Sequence, residues 1–189
     1  MRRLVGAACA GAALIAACSG STSTLSGGGG SVSVSGTIDG MPLAVNDVVA
    51  LLGSQEQQGT SNAYADVIVT NFADTCSVLA RGGNPRSAQV LQLGASAVGS
   101  TVPLGQYVIG ATPTTTAAAG FTAQDATCNP TSDEQATSGT ITMTQVSTTT
   151  VAGSFDVTFA NGDHLTGTFS APVCTGTTLP GDTDPTCGS

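Results

Sequence analysis

The sequence predicts an all-β fold: an antiparallel β-sandwich or small barrel with one short helix, preceded by a signal peptide and a flexible tether. Three observations carry this. Short runs rich in Val, Thr, Ile, Phe and Tyr recur, separated by Gly, Asn, Asp and Pro. Within the runs, apolar and polar residues alternate with the period of a half-buried strand. Helix formers are scarce: lysine is absent and charged residues make up only 8% of the 189. The organisation is read as a leader over 1–17, a modified Cys18 with its tether over 18–31, and one all-β domain over 32–189. A body of that size suits a single core.

The leader comes first. Met1-Arg2-Arg3 is a basic start, residues 4–17 are an apolar run rich in Ala, and Cys18 follows. The run is shorter than the roughly 20 residues needed to cross a bilayer, and it has the shape of a signal peptide. The segment Ile15-Ala16-Ala17-Cys18 resembles the lipobox of bacterial lipoproteins: small residues immediately before a Cys, at the end of an apolar run that opens on arginines. The resemblance covers only this N-terminus. It implies that the Cys18 thiol is diacylated, that residues 1–17 are removed, and that the new N-terminus is acylated too. Ser19 after the cysteine implies sorting to the outer membrane. One acyl chain gives only marginal attachment, whereas several hold a protein stably. The membrane, reached through acyl chains on Cys18, is therefore one expected partner.

The tether is Gly, Ser and Thr with a single apolar residue, Leu25. Such a segment buries too little to fold alone, and flexible-chain scaling gives it a reach of about 20 Å. Its glycines are not a phosphate loop, because no strand–glycine–helix context exists and no lysine follows.

The domain is then read in order. Val32, Val34 and Ile38 alternate with Ser and Thr, and Asp39-Gly40 marks a turn. Residues 41–52 hold two apolar runs split by Asn46-Asp47, and residues 64–72 contain Val67-Ile68-Val69. A short helix follows, capped by Asn71 or Asp74, with Phe72, Cys76 and Leu79 on one face. Gly82-Gly83 and Asn84-Pro85 end it. Residues 88–93 and 102–109 are further strand candidates.

The last third is the clearest. Ile141 and Met143 alternate with Thr; Phe155, Val157 and Phe159 form one strand, and Leu165, Phe169 and Ala171 the next. A two-residue Asn161-Gly162 loop would set Phe159 opposite His164, a one-residue register error. A three-residue loop, Ala160-Asn161-Gly162, with Gly162 left-handed, sets Val157 opposite Leu165, Phe155 opposite Gly167 and Gly153 opposite Phe169. Each Phe then covers a cross-strand glycine. Ser-Gly-Thr-Ile recurs at Ser35 and Ser138, but four residues of common types do not establish a repeat.

With Cys18 spent on lipid, Cys76, Cys128, Cys174 and Cys187 remain, an even number suited to two disulfides in an exported protein. A helix packed on the sheet would bring Cys76 to the end of the last strand, which favours Cys76–Cys174 with Cys128–Cys187. Cys76–Cys128 with Cys174–Cys187 is the main alternative. The spacings are too wide for the close ligand pairs of a zinc site, and no metal or other cofactor is expected. Asp182-Thr183-Asp184 lacks the further ligands of a calcium motif.

The functional classes narrow accordingly. Without lysine there is no P-loop, Schiff base or Ser-Lys dyad. A formal charge of -8, set by 12 acidic and 4 basic residues, speaks against nucleic acid. The one histidine, His164, sits beside a turn on the polar side of its strand, and Asp163 points to the opposite face, so no triad is formed. No Gly-x-Ser-x-Gly elbow occurs. The expectation is no catalytic residue and no enzyme. The chain reads as a lipid-anchored, non-enzymatic structural or interaction module of the bacterial envelope, with an envelope protein or a small apolar ligand as its expected partner. The alternative is a β-barrel carrier of a small apolar ligand; a hydrolase ranks last.

Overall fold

A computed structural model describes residues 21–26, 29–57, 59–82, 85–110 and 115–175. The leader, Cys18, Cys187 and the Asp182-Thr183-Asp184 tail lie outside the described residues. The described chain is all-β with one helix. In order it runs β1 (Thr22–Ser26), β2 (Ser31–Gly36), β3 (Asp47–Gln57), β4 (Thr60–Thr70), α1 (Thr75–Arg81), β5 (Gln89–Val98), β6 (Gly105–Val108), β7 (Thr115–Gln124), β8 (Pro130–Val146), β9 (Thr150–Phe159) and β10 (His164–Pro172). The strands form one strongly curled antiparallel sheet, a half-barrel, in the order β1-β2-β10-β9-β8-β7-β5-β4-β3, with β6 beside β8. Of the sandwich and barrel forms left open by the sequence, the single continuous sheet takes the barrel side. The curl returns β3 to the chain end of β10, where Ala50 and Val173 make an isolated parallel bridge and the Cys174 N–H donates to the Ala50 carbonyl at 2.8 Å.

Alternation explains the inner face. Val151, Gly153, Phe155, Val157 and Phe159 point into the core from β9, and Ala63, Ala65, Val67 and Val69 from β4. Phe121, Phe159, Leu91, Leu93, Ile141 and Met143 are fully buried in the middle of the half-barrel. Val67-Ile68-Val69 does not alternate because both faces are covered there. The outer side of Ile68, with Val49 and Leu51, packs under α1 through Cys76 and Leu79.

The final hairpin has the register the sequence predicts: Val157 faces Leu165, Phe155 faces Gly167 and Gly153 faces Phe169. Gly162 is left-handed at φ 90, and its N–H donates to the Phe159 carbonyl at 3.0 Å. Asp39 and Gly40 are both left-handed, and Ile38 and Met41 exchange both backbone bonds across them, a two-residue hairpin. The two Ser-Gly-Thr-Ile segments occupy matching places. Gly36 pairs with Leu165, Leu165 with Val157, and Val157 with Gly139, so the two glycines end one row across the sheet. Both have positive φ, and a side chain on either would strike the backbone of the neighbouring strand.

Three expectations need correction. Thr22–Ser26, read as flexible tether, is edge strand β1, paired with β2 from Thr22↔Ser35 to Ser26↔Ser31. A Ser/Thr segment too polar to fold alone gains backbone partners from an open edge, and Leu25 packs against the core. The helix starts after Phe72, which therefore does not share its apolar face. Asp74 holds the cap position with φ 58, yet its side chain caps nothing. The Thr75 N–H instead donates to Asp47 Oδ2 at 2.8 Å, so the capping carboxylate comes from β3. Gly82 closes the helix in the left-handed conformation, its N–H donating to the Leu79 carbonyl; residues 83–84 lie outside the described residues. Strand β7 was not anticipated, because Thr-Thr-Ala-Ala-Ala-Gly-Phe lacks the β-branched apolar residues that mark strands.

Candidate functional site

Cys76 and Cys174 form a disulfide with Cα atoms 5.5 Å apart, closing 98 residues of sequence separation. It fastens α1 to the seam where β3 meets the end of β10. Cys128 is also disulfide-bonded; the expected partner, Cys187, lies outside the described residues. The Cys128 loop is tightly built. Asp125 Oδ1 accepts from Thr127 Oγ1 (2.7 Å), the Asn129 N–H (3.0 Å) and the Thr127 N–H (2.7 Å). These bonds, the Thr127 side chain first, hold its carboxyl below the ordinary range.

His164 is half exposed, and its Nε2 lies 2.8 Å from Asp156 Oδ1, which is more exposed still. Asp163 is turned elsewhere: its carboxylate accepts from the Asp39 N–H and the Asn161 amide, tying two hairpin tips together. The hairpin register, with His164 opposite Thr158 and Asp156 opposite Thr166, sets Asp156 diagonally beside His164 on the outer face. The open setting on both sides does not provide the water exclusion a triad requires. Among the described residues, no three His, Cys, Asp or Glu side chains gather as metal ligands.

Among the described residues, Tyr64 borders two recesses. The larger, about 380 Å³, opens at one end of the half-barrel between Leu52, Gly53 and Tyr64, Val102 of the β5–β6 connection, Val146 at the end of β8 and Ser147 of the β8–β9 turn. Its lining is apolar side chains and neutral hydroxyls, with no carboxylate or cation. The smaller, about 120 Å³, lies on the outer face over Gly94, between Tyr64, Asp66, Ser96, Thr116 and Ala118. Both depend on glycine. The Tyr64 ring lies over Gly53, and the Asp66 carboxylate lies over Gly94. Register places these pairs directly opposite, Gly53↔Tyr64 and Asp66↔Gly94. Burial pushes the Asp66 carboxyl up to about 6, against a hydrogen bond from the Gln92 side chain that lowers it. Neither Tyr64 nor Asp66 was singled out in the sequence. The available signal was an acid between strand residues, opposite glycine, in a segment with no cation.

Comparison with protein-family models, curated proteins and solved structures yields no match.

Proposed function

We propose that this chain is a lipid-anchored module of the bacterial cell envelope, at the outer membrane, that binds another molecule and catalyses no reaction. The observation that carries the reading is Ile15-Ala16-Ala17-Cys18 at the end of a basic-then-apolar leader. The disulfide supports an oxidising compartment. The early start of β1 refines the geometry. Thr22 is four positions after Cys18, so even a fully extended chain keeps the sheet edge within about 15 Å of the acylated residue. On this reading the domain sits against the headgroups with its β1–β2 edge nearest, rather than standing clear on a long leash.

The test is Cys18→Ser in the full chain. The expected result is loss of membrane association on fractionation, and loss of the acyl mass on the first mature residue. Unchanged attachment, or an unmodified N-terminus downstream of Cys18 in wild type, rejects the anchor.

A second reading, a carrier of a small apolar ligand, is favoured by the recess of about 380 Å³ with Leu52, Val102 and Val146 on its walls. The filled core leaves the mouth, not the barrel interior, as its place. A lipid co-purifying in native mass spectra, and lost in Val102→Asp, supports the carrier.

A further inference from the structure

We infer that the recess over Gly94 is a binding site for a primary ammonium group, received by the Asp66 carboxylate and flanked by Tyr64, Ser96 and Thr116. It rests on the reading of this domain as a binding module and names the chemistry that the module recognises.

The recess exists because two adjacent outer positions are small. Gly94 lacks the side chain that would displace Asp66 Oδ1, and Ala118, opposite Gly94 on β7, leaves the floor open. The volume of about 120 Å³ has room on the order of four waters, enough for an ammonium head and one or two carbons. Ser96 Oγ and Thr116 Oγ1 are 2.7 Å apart, so one donates to the other and each oxygen keeps capacity to accept a further hydrogen bond.

The charge balance selects a cation. An ionised carboxylate accepts about four hydrogen bonds, and only Gln92 supplies one to Asp66. Arg81 ends α1 and Arg86 lies before β5; the one ion pair among the described residues is His164–Asp156. The chain has no lysine. A cation for Asp66 must therefore come from another molecule. A neutral alcohol leaves the buried charge uncompensated, and a calcium-like ion favours several carboxylates, whereas no three His, Cys, Asp or Glu side chains gather among the described residues. A primary ammonium offers three donors to one carboxylate and two hydroxyls, with the Tyr64 ring beside it. The surplus of acids over arginines draws cations toward the domain. Around Asp66, β3 presents Leu51, β5 presents Gly94 and Ser96, and β7 presents Thr116 and Ala118; Tyr64 on β4 is the one other titratable group lining the recess.

The test uses the full-length chain in non-ionic detergent, with the Asp66 side-chain carboxyl followed by ¹³C NMR and n-propylammonium chloride as probe. The expected result is a saturable shift, a fall of the Asp66 midpoint from about 6 toward the ordinary value, and tighter binding well above that midpoint than well below it. Asp66→Asn should weaken binding about tenfold or more, the scale of a lost charge-assisted hydrogen bond. Ala118→Leu, which fills the floor and keeps the carboxylate, should weaken it similarly while Asp66 still titrates. N-acetyl-lysine-N-methylamide binding as well as n-propylammonium identifies a lysine side chain of a protein partner as the source; n-propylammonium alone identifies a small free amine. Equal shifts with sodium chloride or n-propanol, or unaltered binding in either variant, overturn the site. Fractionation of Cys18→Ser reads the anchor separately, so failure of one proposal is distinguishable from failure of the other.

Discussion

The half-barrel has two kinds of wall, and glycine serves them in opposite ways. In β9 and β10 the covered glycines face inward: Phe155 lies over Gly167 and Phe169 over Gly153, and both rings belong to the core. In β3, β4, β5, β7 and β8 the covered glycines face outward: Tyr64 lies over Gly53, Asp66 over Gly94 and Gln135 over Gly120. The first arrangement removes apolar surface from water and stabilises the fold. The second lays polar side chains flat on the sheet, half-shielding a carboxylate at a cost. A strand glycine thus makes room for its cross-strand neighbour, and the face it lies on decides whether that room holds the fold or builds a recess.

This contrast can be broken from the inward wall first. Phe155→Ala should cost about 3–5 kcal/mol, since a fully packed ring leaves a cavity beside a glycine that cannot fill it. Urea denaturation checks this, and a cost below about 1 kcal/mol would remove the distinction between the walls. The staple comes next. Cys76→Ser with Cys174→Ser should destabilise by about 2–5 kcal/mol, because the bond closes a long loop and fastens α1 to the seam. Thermal unfolding with and without reductant checks it.

The outward wall should respond with the opposite sign. The folded Asp66 carboxyl sits at about 6, above the ordinary 3.8, so between those values the folded state holds more protons than the unfolded. Wild-type stability therefore falls as pH rises through that window and is level above it. Asp66→Asn should gain about 3 kcal/mol at neutral pH and little below about pH 4. Denaturation midpoints of both proteins at the two ends of the window measure it; a loss at neutral pH would mean the carboxylate is already paired.

Smaller effects sharpen the picture. Asp47→Ala removes the oxygen that receives the Thr75 N–H and should cost about 1 kcal/mol, with exchange of that amide accelerated. His164→Ala should change stability by less than about 1 kcal/mol, as for other exposed pairs, and Asp156→Ala no more.

What was legible in the sequence was local. The hairpin register followed from turn chemistry and a two-residue period, which act over a few positions, and so did the Asp39-Gly40 turn and the Gly82 helix end. Strand β7 was hidden because alanine carries little strand preference, although its Ala117, Ala119, Phe121 and Ala123 alternate once a core is there to receive them. The Cys76–Cys174 pairing was favoured from the sequence among three possible connectivities, and the folded seam realises it.

The residues themselves determined the all-β class, the last hairpin and its aromatic-over-glycine pairs, because each depends on neighbours along the chain or across one tight turn. Only the tertiary structure decided that residues 22–26 join the sheet, that Asp47 caps a helix 28 positions on, and that Asp66 meets Gly94. Those outcomes depend on which edges the closing curl leaves open and which distant strands it brings side by side. The energy of such contacts appears only after loop closure has been met, and a short window of sequence carries no record of it.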